Sequence, residues 1–293
     1  EAGGGEAVMA YVTNILVLAC IYGVLAMSLN LTVGFTGLLN LGHVAFFAIG
    51  AYTSALLALA GVPFYASLAA GALAAAAAGY LIGIPTLKLR GDYLAIATLG
   101  FAEITRVVLK NWTPVTGGPM GLPGIPRASL LGFRLQTPEA FLALSLAILL
   151  LTYLVLQRLV ASPFGRVLRG IRDDELAVLA LGKETMAFKL RALALGSFLA
   201  GMAGALFAHY ITFIHPSSFT IGEGILILCM VVLGGMGSNL GAMLGAFILV
   251  ALPESLRLLG LPGAVAGPLR QLVFGLILVI LMVRRPSGLL GGS

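Results

Sequence analysis

Residues 8–28 read VMAYVTNILVLACIYGVLAMS, a run that contains no charged side chain. A helix needs about 20 mainly apolar residues to cross the hydrocarbon core of a bilayer. Similar apolar runs follow at 37–60, 64–87, 91–112, 139–159, 188–213, 220–236, 240–259 and 266–283. The sequence therefore predicts about eight or nine transmembrane helices, of which the run at 220–236 is short for a full crossing.

The composition indicates the same class of fold. Hydrophobic residues make up 60% of the 293 residues and charged residues only 10%, whereas a soluble domain carries roughly 25% charged residues. A water-soluble chain of this size has too much surface to hide so many apolar side chains. We therefore expect an all-α polytopic membrane protein in which residues 1–293 form a single transmembrane domain in the lipid bilayer. The basic residues cluster between apolar runs, which argues against nucleic acid as a partner.

The basic residues also predict the orientation. If nine spans alternate, eleven Lys and Arg residues fall in one set of loops and six in the other, which together make the 17 of the chain. Because loops rich in Lys and Arg stay in the cytoplasm, the first set is expected to be cytoplasmic. The N-terminus then lies outside, the C-terminus lies in the cytoplasm, and residues 113–138 form an outer loop. An even number of spans would break this alternation.

Two segments rich in glycine interrupt the apolar pattern, at 31–43 and at 233–241. Each contains the tripeptide Asn-Leu-Gly, which begins at Asn40 and at Asn239. Glycine loosens a helix, and irregular backbone is tolerated in a bilayer only where protein or water satisfies it. Paired broken helices in two pseudo-symmetric halves are typical of transporters, with a solute path between them. Two ordinary turns that share a tripeptide by chance are the alternative.

The charged segment, residues 161–187, departs most strongly from the apolar pattern. Ser162 and Pro163 favour a helix start, and Asp173 is expected to cap a second short helix that ends at Gly182. Arginines recur along one stripe of the first helix and acidic residues follow at once, at Arg166, Arg169, Arg172, Asp173, Asp174 and Glu175. A basic segment that lies on anionic lipid is one interpretation. The acidic residues would weaken that attraction, so the mixed charge favours a surface that docks on a protein.

These stretches together resemble a known family, the LivM-type permease subunits of branched-chain amino acid ABC importers. The likeness runs in order through residues 29–43, 89–106, 116–126, 165–182, 218–238 and 285–291. The charged segment resembles the loop by which such permeases couple to their ATPase. The spacing of Glu175, Ala177 and Gly182 is looser than in other importer classes, so contacts known from those classes are not transferred.

The resemblance implies a permease subunit that moves branched-chain or related amino acids into the cytoplasm by alternating access. Its expected partners are a second related permease subunit, two ATPase subunits and an extracytoplasmic substrate-binding protein. ATP and Mg are expected on the ATPase subunits, and no cofactor is expected on this chain. The implied location is the plasma (inner) membrane of a prokaryote. The residues expected to couple to the ATPase are Arg166, Arg169, Arg172, Asp173, Asp174, Glu175, Ala177, Leu181 and Gly182.

Polar residues inside the spans are candidates for the solute path, because polar groups are costly in lipid and are usually functional or paired. They are Thr36, Asn40, His43, Thr98, Glu103, Ser238 and Asn239. Glu103 stands three residues before Arg106, so a structural ion pair is the alternative to a solute contact. Glu223 follows Thr220 at the spacing of a capping box, which favours a role at a helix start.

The Gly/Pro loop, residues 113–138, is expected to be a shaped loop rather than a helix, because glycine and proline are dense in it. The resemblance places it on the side where the binding protein docks, and the docking candidates are Gly117, Gly118, Pro119 and Gly121. No phosphate-binding loop ending in Gly-Lys-Ser/Thr, metal cluster or catalytic constellation stands out in the sequence. We therefore expect a transport subunit and no enzyme. A stand-alone channel or an ion-coupled secondary transporter for small solutes is the alternative, with Glu103 as its ion site.

Overall fold

The structure is a computed structural model that describes residues 2–89, 91–130, 133–134, 137–258, 275–276 and 288–291. The helices in this part of the chain are α1 (Ala2–Thr36), α2 (His43–Leu59), α3 (Phe64–Thr86), α4 (Asp92–Asn111), α5 (Thr113–Thr116), α6 (Pro138–Ala161), α7 (Pro163–Asp173), α8 (Glu175–Ala180), α9 (Thr185–Ile211), α10 (Ile221–Gly234) and α11 (Asn239–Leu258). Short 3-10 helices form at Gly118–Met120 and Pro216–Ser218. The two-residue strands are β1 (Leu122–Pro123), β2 (Ser129–Leu130), β3 (Phe133–Arg134) and β4 (Phe213–Ile214). The predicted all-α fold is confirmed.

Five helical stretches among the described residues are long and apolar enough to cross a membrane. They are Met9–Thr36, Phe64–Thr86, Pro138–Ala161, Thr185–Ile211 and Pro216–Gly234. Two shorter apolar helices, His43–Leu59 and Asn239–Leu252, lie in the predicted runs 37–60 and 240–259. The helix α4 follows the predicted run 91–112 and carries the charged residues Asp92, Glu103, Arg106 and Lys110. The predicted run 266–283 lies outside the described residues, apart from residues 275 and 276.

The helix α1 is longer than the sequence predicts. The apolar pattern predicts a helix that ends at residue 28 and a break at 31–43, but the helix continues to Thr36. The prediction was wrong because the polar groups in this stretch find partners without unwinding the helix; the Thr32 hydroxyl, for example, donates to the Leu29 carbonyl at 2.9 Å. The chain leaves the helix at Gly37, whose φ of +69° suits glycine. Residues 37–42 are called the first glycine break below.

The second glycine break consists of residues 235–238, between the end of α10 and the start of α11. It lies within the predicted segment 233–241. The backbone N–H groups of Leu289 and Leu290 donate to the carbonyls of Leu233 and Gly234 at 3.0 and 2.9 Å. A helix leaves its last carbonyls without partners, so residues 289 and 290 complete the end of α10.

The helix α1 packs against α6, α9, α10 and α11, and α9 packs against α2 and α3. Side chains along α1 are fully buried, among them Ile21, Val24, Leu25 and Leu31. Small residues permit close approach between membrane helices. A methyl group added at Gly204 of α9, for example, would collide with the carbonyl oxygen of Phe47 of α2. The helix α1 therefore lies at the centre of the described helices.

Candidate functional site

The charged segment folds into two short helices, α7 and α8, as predicted. The second helix is followed by Gly182, whose φ of +74° fits its predicted place after the helix end. The cap of α8 is Asp174 and not Asp173, because α7 continues through Asp173. Its Oδ1 accepts from two backbone N–H groups at 2.9 and 3.1 Å, those of Leu176 and Ala177. The predicted cap was therefore wrong by one residue.

Glu175 does not point outward from α8, although the sequence places it on the docking surface. Its Oε1 lies 2.5 Å from Nζ of Lys189 on α9. The same oxygen accepts from the hydroxyl of Thr185 at 2.9 Å. Because the side chain of Lys189 is only 9% exposed, its charge depends on this carboxylate for compensation. The pair therefore fixes α8 against the start of α9.

The outer face of α8 is apolar instead. Leu176, Leu179 and Leu181 are 65%, 44% and 79% exposed, and Ala177 lies among them and is exposed too. Exposed apolar side chains that cluster on a small unit mark an interaction surface. Leu181 and Ala177 were predicted as coupling residues, whereas Leu176 and Leu179 were not. In a chain this rich in leucine their spacing does not stand out.

Two of the three arginines of α7 lie against the glycine breaks. Nη1 of Arg172 donates to the carbonyl oxygen of Gly34 at 2.9 Å. Arg169 lines a cavity of about 290 Å³ together with Ser238 and Asn239. Arg166 is exposed. The predicted arginine stripe is thus divided between the membrane helices and the exposed surface of the segment.

The first glycine break is held against α4. The N–H of Leu41 donates to the hydroxyl oxygen of Thr98 at 3.1 Å. Within the break, Oδ1 of Asn40 accepts from the N–H of Gly42 at 3.0 Å. A methyl group at Gly42 would collide with the carbonyl of Thr98, which explains the small residue there. The structure therefore brings together the predicted path residues Asn40 and Thr98.

His43, the first residue of α2, is bound to α1. Its Nε2 lies 2.7 Å from the hydroxyl oxygen of Ser28. Because that hydroxyl donates to the carbonyl of Leu25, the imidazole N–H is the donor in the pair. Thr36 is buried as well, but its hydroxyl donates to the Thr32 carbonyl in its own helix. Of these two path candidates, only His43 joins different helices.

Asn30 joins α1 to the second glycine break. Its Oδ1 accepts from the N–H of Gly237 at 2.9 Å, and its Nδ2 donates to Oδ1 of Asn239 at 3.3 Å. The side chain of Ser238 caps α11 by accepting from the N–H of Gly241 at 3.1 Å. Asn30 is fully buried and was not selected from the sequence. An amide inside an apolar helix was the signal that could have identified it.

Three buried side-chain nitrogens at the breaks have no hydrogen-bond partner among the described residues. They are Nδ2 of Asn40, Nδ1 of His43 and Nδ2 of Asn239. A buried polar group without a partner costs about 1–3 kcal/mol, so a native fold retains few of them. All three lie in or directly after the two glycine breaks.

Two acidic residues within the predicted spans, Glu103 and Glu223, form bonds with other side chains. Glu103 and Arg106 form the predicted ion pair, with two contacts, one of which joins Nε to Oε2 at 3.0 Å. Their side chains are 37% and 28% exposed, so this face of α4 suits a protein partner or water better than lipid. Glu223 accepts from the hydroxyl of Tyr22 at 3.2 Å. Its predicted capping box is wrong, because the side chain of Thr220 makes no cap bond.

The described part of the Gly/Pro loop contains only short elements, namely α5, the 3-10 helix Gly118–Met120 and the two-residue strands β1 to β3. The glycines among the docking candidates adopt φ values that favour glycine, namely +71° at Gly117, +57° at Gly118 and +73° at Gly121. Pro119 lies in the 3-10 helix that follows. Met120 is 82% exposed. Of the four docking candidates, Pro119 is exposed, Gly117 is half-buried, and Gly118 and Gly121 are buried.

The Gly/Pro loop is fixed to the end of α9. Strand β1 pairs antiparallel with β4, and the N–H of Ile125 donates to the carbonyl of Thr212 at 3.1 Å. Nδ1 of His209 lies 2.8 Å from the carbonyl oxygen of Pro126. On its other side, Nε2 of His209 lies 3.0 Å from the hydroxyl oxygen of Ser54. The imidazole therefore bridges the loop and the membrane helices.

Broken membrane helices with polar breaks, joined to a small helical unit outside the spans, define this molecule as a multi-pass membrane transport protein. The model of the family described as "Branched-chain amino acid transport system / permease component" matches residues 11–282. The chain belongs to this family.

Three relatives show the range of this similarity. The high-affinity branched-chain amino acid transport system permease protein LivM of Escherichia coli (strain K12) is 40% identical over 94% of this chain and 69% of the relative. The probable branched-chain amino acid transport permease protein LivM of Methanocaldococcus jannaschii is 31% identical over 72% of this chain and 65% of the relative. The autoinducer 2 import system permease protein LsrC of Salmonella typhimurium is 30% identical over 63% of this chain and 53% of the relative. No solved structure matches the chain.

Proposed function

We propose that this permease imports branched-chain or related amino acids by alternating access, driven by ATP hydrolysis on partner subunits. The relatives from E. coli and M. jannaschii carry branched-chain amino acid transport in their names, which supports the substrate class. The bond from Arg172 to Gly34 carries the mechanism, since it joins the charged segment directly to the end of α1, which leads into the first glycine break. A movement imposed on α7 therefore has a physical route into the membrane helices.

The proposed complex contains a second related permease, two ATPase subunits that hold ATP and Mg, and an extracytoplasmic binding protein. The leucines of α8, together with Arg166, are the proposed ATPase contact, which makes the charged segment cytoplasmic. In the same orientation the N-terminus lies outside, the C-terminus lies inside, and the Gly/Pro loop faces the binding protein. The partly exposed pair of Glu103 and Arg106 supports a protein or a water-filled path beside α4.

The solute path is proposed to pass the two glycine breaks. A zwitterionic amino acid needs donors for its carboxylate and acceptors for its ammonium group. The unpartnered amide nitrogens of Asn40 and Asn239 are donors, and Nδ1 of His43 is an acceptor when Nε2 carries the proton. Thr98 and Ser238 add hydroxyl groups at the same places. Apolar side chains around them suit an aliphatic side chain of the solute.

Reconstituted uptake tests the function. Vesicles with the complete complex should accumulate leucine in the presence of ATP, and omission of the ATPase should abolish uptake; a polar amino acid and urea serve as comparison solutes. Uptake that survives without the ATPase would overturn the proposal and favour a channel or an ion-coupled carrier. The pairing of Glu103 with Arg106 gives no support to an unpaired ion site at Glu103.

The ATPase contact is tested at α8. The double variant Leu176→Asp, Leu179→Asp should lose co-purification with the ATPase, because charged groups cannot enter an apolar cleft unpaired. The matched variant Leu176→Met, Leu179→Met keeps the apolar surface and should retain it. Equal binding by both variants would move the contact elsewhere.

A further inference from the structure

The side chain of Arg172 lies between the two glycine breaks. Its Nη1 donates to the carbonyl of Gly34 at 2.9 Å. A methyl group added at Gly37 would lie 3.1 Å from its Cγ, and one added at Gly237 would lie 3.0 Å from its Nη1. One side chain of α7 is therefore in contact range of the end of α1 and of both breaks.

The Gly34 carbonyl is one of those that a helix end leaves free. At the end of α1, the N–H of Gly37 bonds to the carbonyl of Val33, and the N–H of Leu38 bonds to that of Thr32. Neither bond uses the oxygen of Gly34. A guanidinium there supplies the missing donor and also places a positive charge at the C-terminal end of the helix, where the helix dipole favours it.

The end of α1 is in turn fastened to the second glycine break. Asn30 of α1 accepts from the N–H of Gly237, and a methyl group at Gly34 would collide with the nitrogen of Gly237. Side chains of different helices thus hold the end of α1 and the second break at one place. Whatever moves the Gly34 carbonyl also acts on Gly237.

We infer that Arg172 is a positioning residue that transmits displacement of α7 to both glycine breaks together. The inference rests on the proposed function, because the docked ATPase is what displaces α7. Arg172 acts through the backbone of Gly34 and Gly237 and not on the solute. The guanidinium holds the end of α1 to α7, so α1 follows α7 as long as this bond persists.

The test measures leucine imported per ATP hydrolysed by the complete reconstituted transporter. Coupling free energies of ordinary size correspond to roughly 5- to 150-fold effects, so Arg172→Met should lower this ratio at least about fivefold. Arg172→Lys keeps a cationic donor and should retain more of the ratio than Arg172→Met. The matched variant Arg166→Met removes the same charge from an exposed position on the same helix. It should lower uptake and hydrolysis in proportion, which leaves the ratio unchanged.

A second measurement does not depend on transport. Spin labels at Leu39, which is 45% exposed, and at Leu181, which is 79% exposed, report the separation of the first break from the charged segment. Arg172→Met should broaden the distance distribution, and Arg166→Met should leave it narrow.

An unchanged ratio or an unchanged distance distribution in Arg172→Met would overturn the inference. Equal ratios in Arg172→Met and Arg166→Met would also overturn it, since both arginines would then serve docking alone. Failure of the proposed function has a different signature, namely a wild-type complex whose uptake does not depend on ATP.

Discussion

Glu175 of α8 and Lys189 of α9 form a salt bridge with Oε1 and Nζ 2.5 Å apart. The cation is nearly buried, and the carboxylate also accepts from Thr185. The charged segment is attached to the membrane helices by this bridge to α9, by the bond of Arg172 to α1, and by the ring of Phe164, which stacks on that of Phe188 of α9. These contacts hold the unit of α7 and α8, which presents the apolar face of α8.

Removal of the cation should loosen this unit. We expect Lys189→Met to destabilise the docking of α8 by about 1–3 kcal/mol, because it leaves the Glu175 carboxylate without its charged partner. Hydrogen exchange of the amides at 176–181 should accelerate accordingly. Because the unpaired charge causes the loss, the double variant Glu175→Gln, Lys189→Met should exchange more slowly than Lys189→Met alone. Wild-type exchange in the single variant would show that the bridge contributes nothing.

Gly34 and Gly100 form a matched pair for testing the contact between α1 and the second glycine break. A methyl group at Gly34 collides with Asn30 and Gly237, whereas one at Gly100 meets nothing within 4 Å. We expect Gly34→Ala to destabilise the fold by about 3 kcal/mol or more, the size typical of severe overpacking. Gly100→Ala should be neutral or stabilising by up to about 1 kcal/mol, because alanine favours helix. Thermal unfolding in detergent measures both, and similar melting temperatures would contradict the described contact.

The ion pair of Glu103 and Arg106 can be tested in two ways: one partner can be removed, or the two residues can be swapped. Arg106→Met should reduce insertion or transport, since it leaves a carboxylate unpaired within a membrane span. The swapped variant Glu103→Arg, Arg106→Glu restores the pair and should recover function at least in part. Full membrane insertion combined with complete loss of uptake in the swapped variant would instead assign Glu103 a direct contact with the solute.

The side chain of His209 should stabilise the attachment of the Gly/Pro loop to the membrane helices. His209→Ala removes the bond to Pro126 and the bond to Ser54, and we expect a loss of about 2–4 kcal/mol because two partners remain unsatisfied. Exchange at the Ile125 amide, which donates to Thr212, should rise before exchange in α9 does. His209→Gln keeps one polar contact and should show an intermediate effect. Slow exchange at Ile125 in His209→Ala would mean that the strand pairing alone holds the loop.

Most membrane helices could be predicted from the sequence, because each needs only its own apolar run to form in lipid. The two helices of the charged segment followed from local caps, with an error of one residue at Asp174. The end of α1 could not be predicted from the sequence, since one of its last carbonyls, that of Gly34, is satisfied by Arg172, 138 residues away. Asn30 was missed for the same reason: its partner Gly237 is 207 residues distant, and no local pattern records such a contact.

The bond between Asn30 and Gly237 also bears on the order in which the protein is made. Translation delivers α1 to the membrane long before Gly237 and Asn239 are synthesised. The Asn30 amide therefore enters the bilayer without these two partners. Such a group is costly there, and the nascent chain must shelter it among early helices, water or an insertion factor. Ribosome-bound chains arrested at residue 200 and full-length chains released from the ribosome should therefore differ in how Asn30 is protected. The first half of this permease therefore completes its polar contacts only after the second half has entered the membrane.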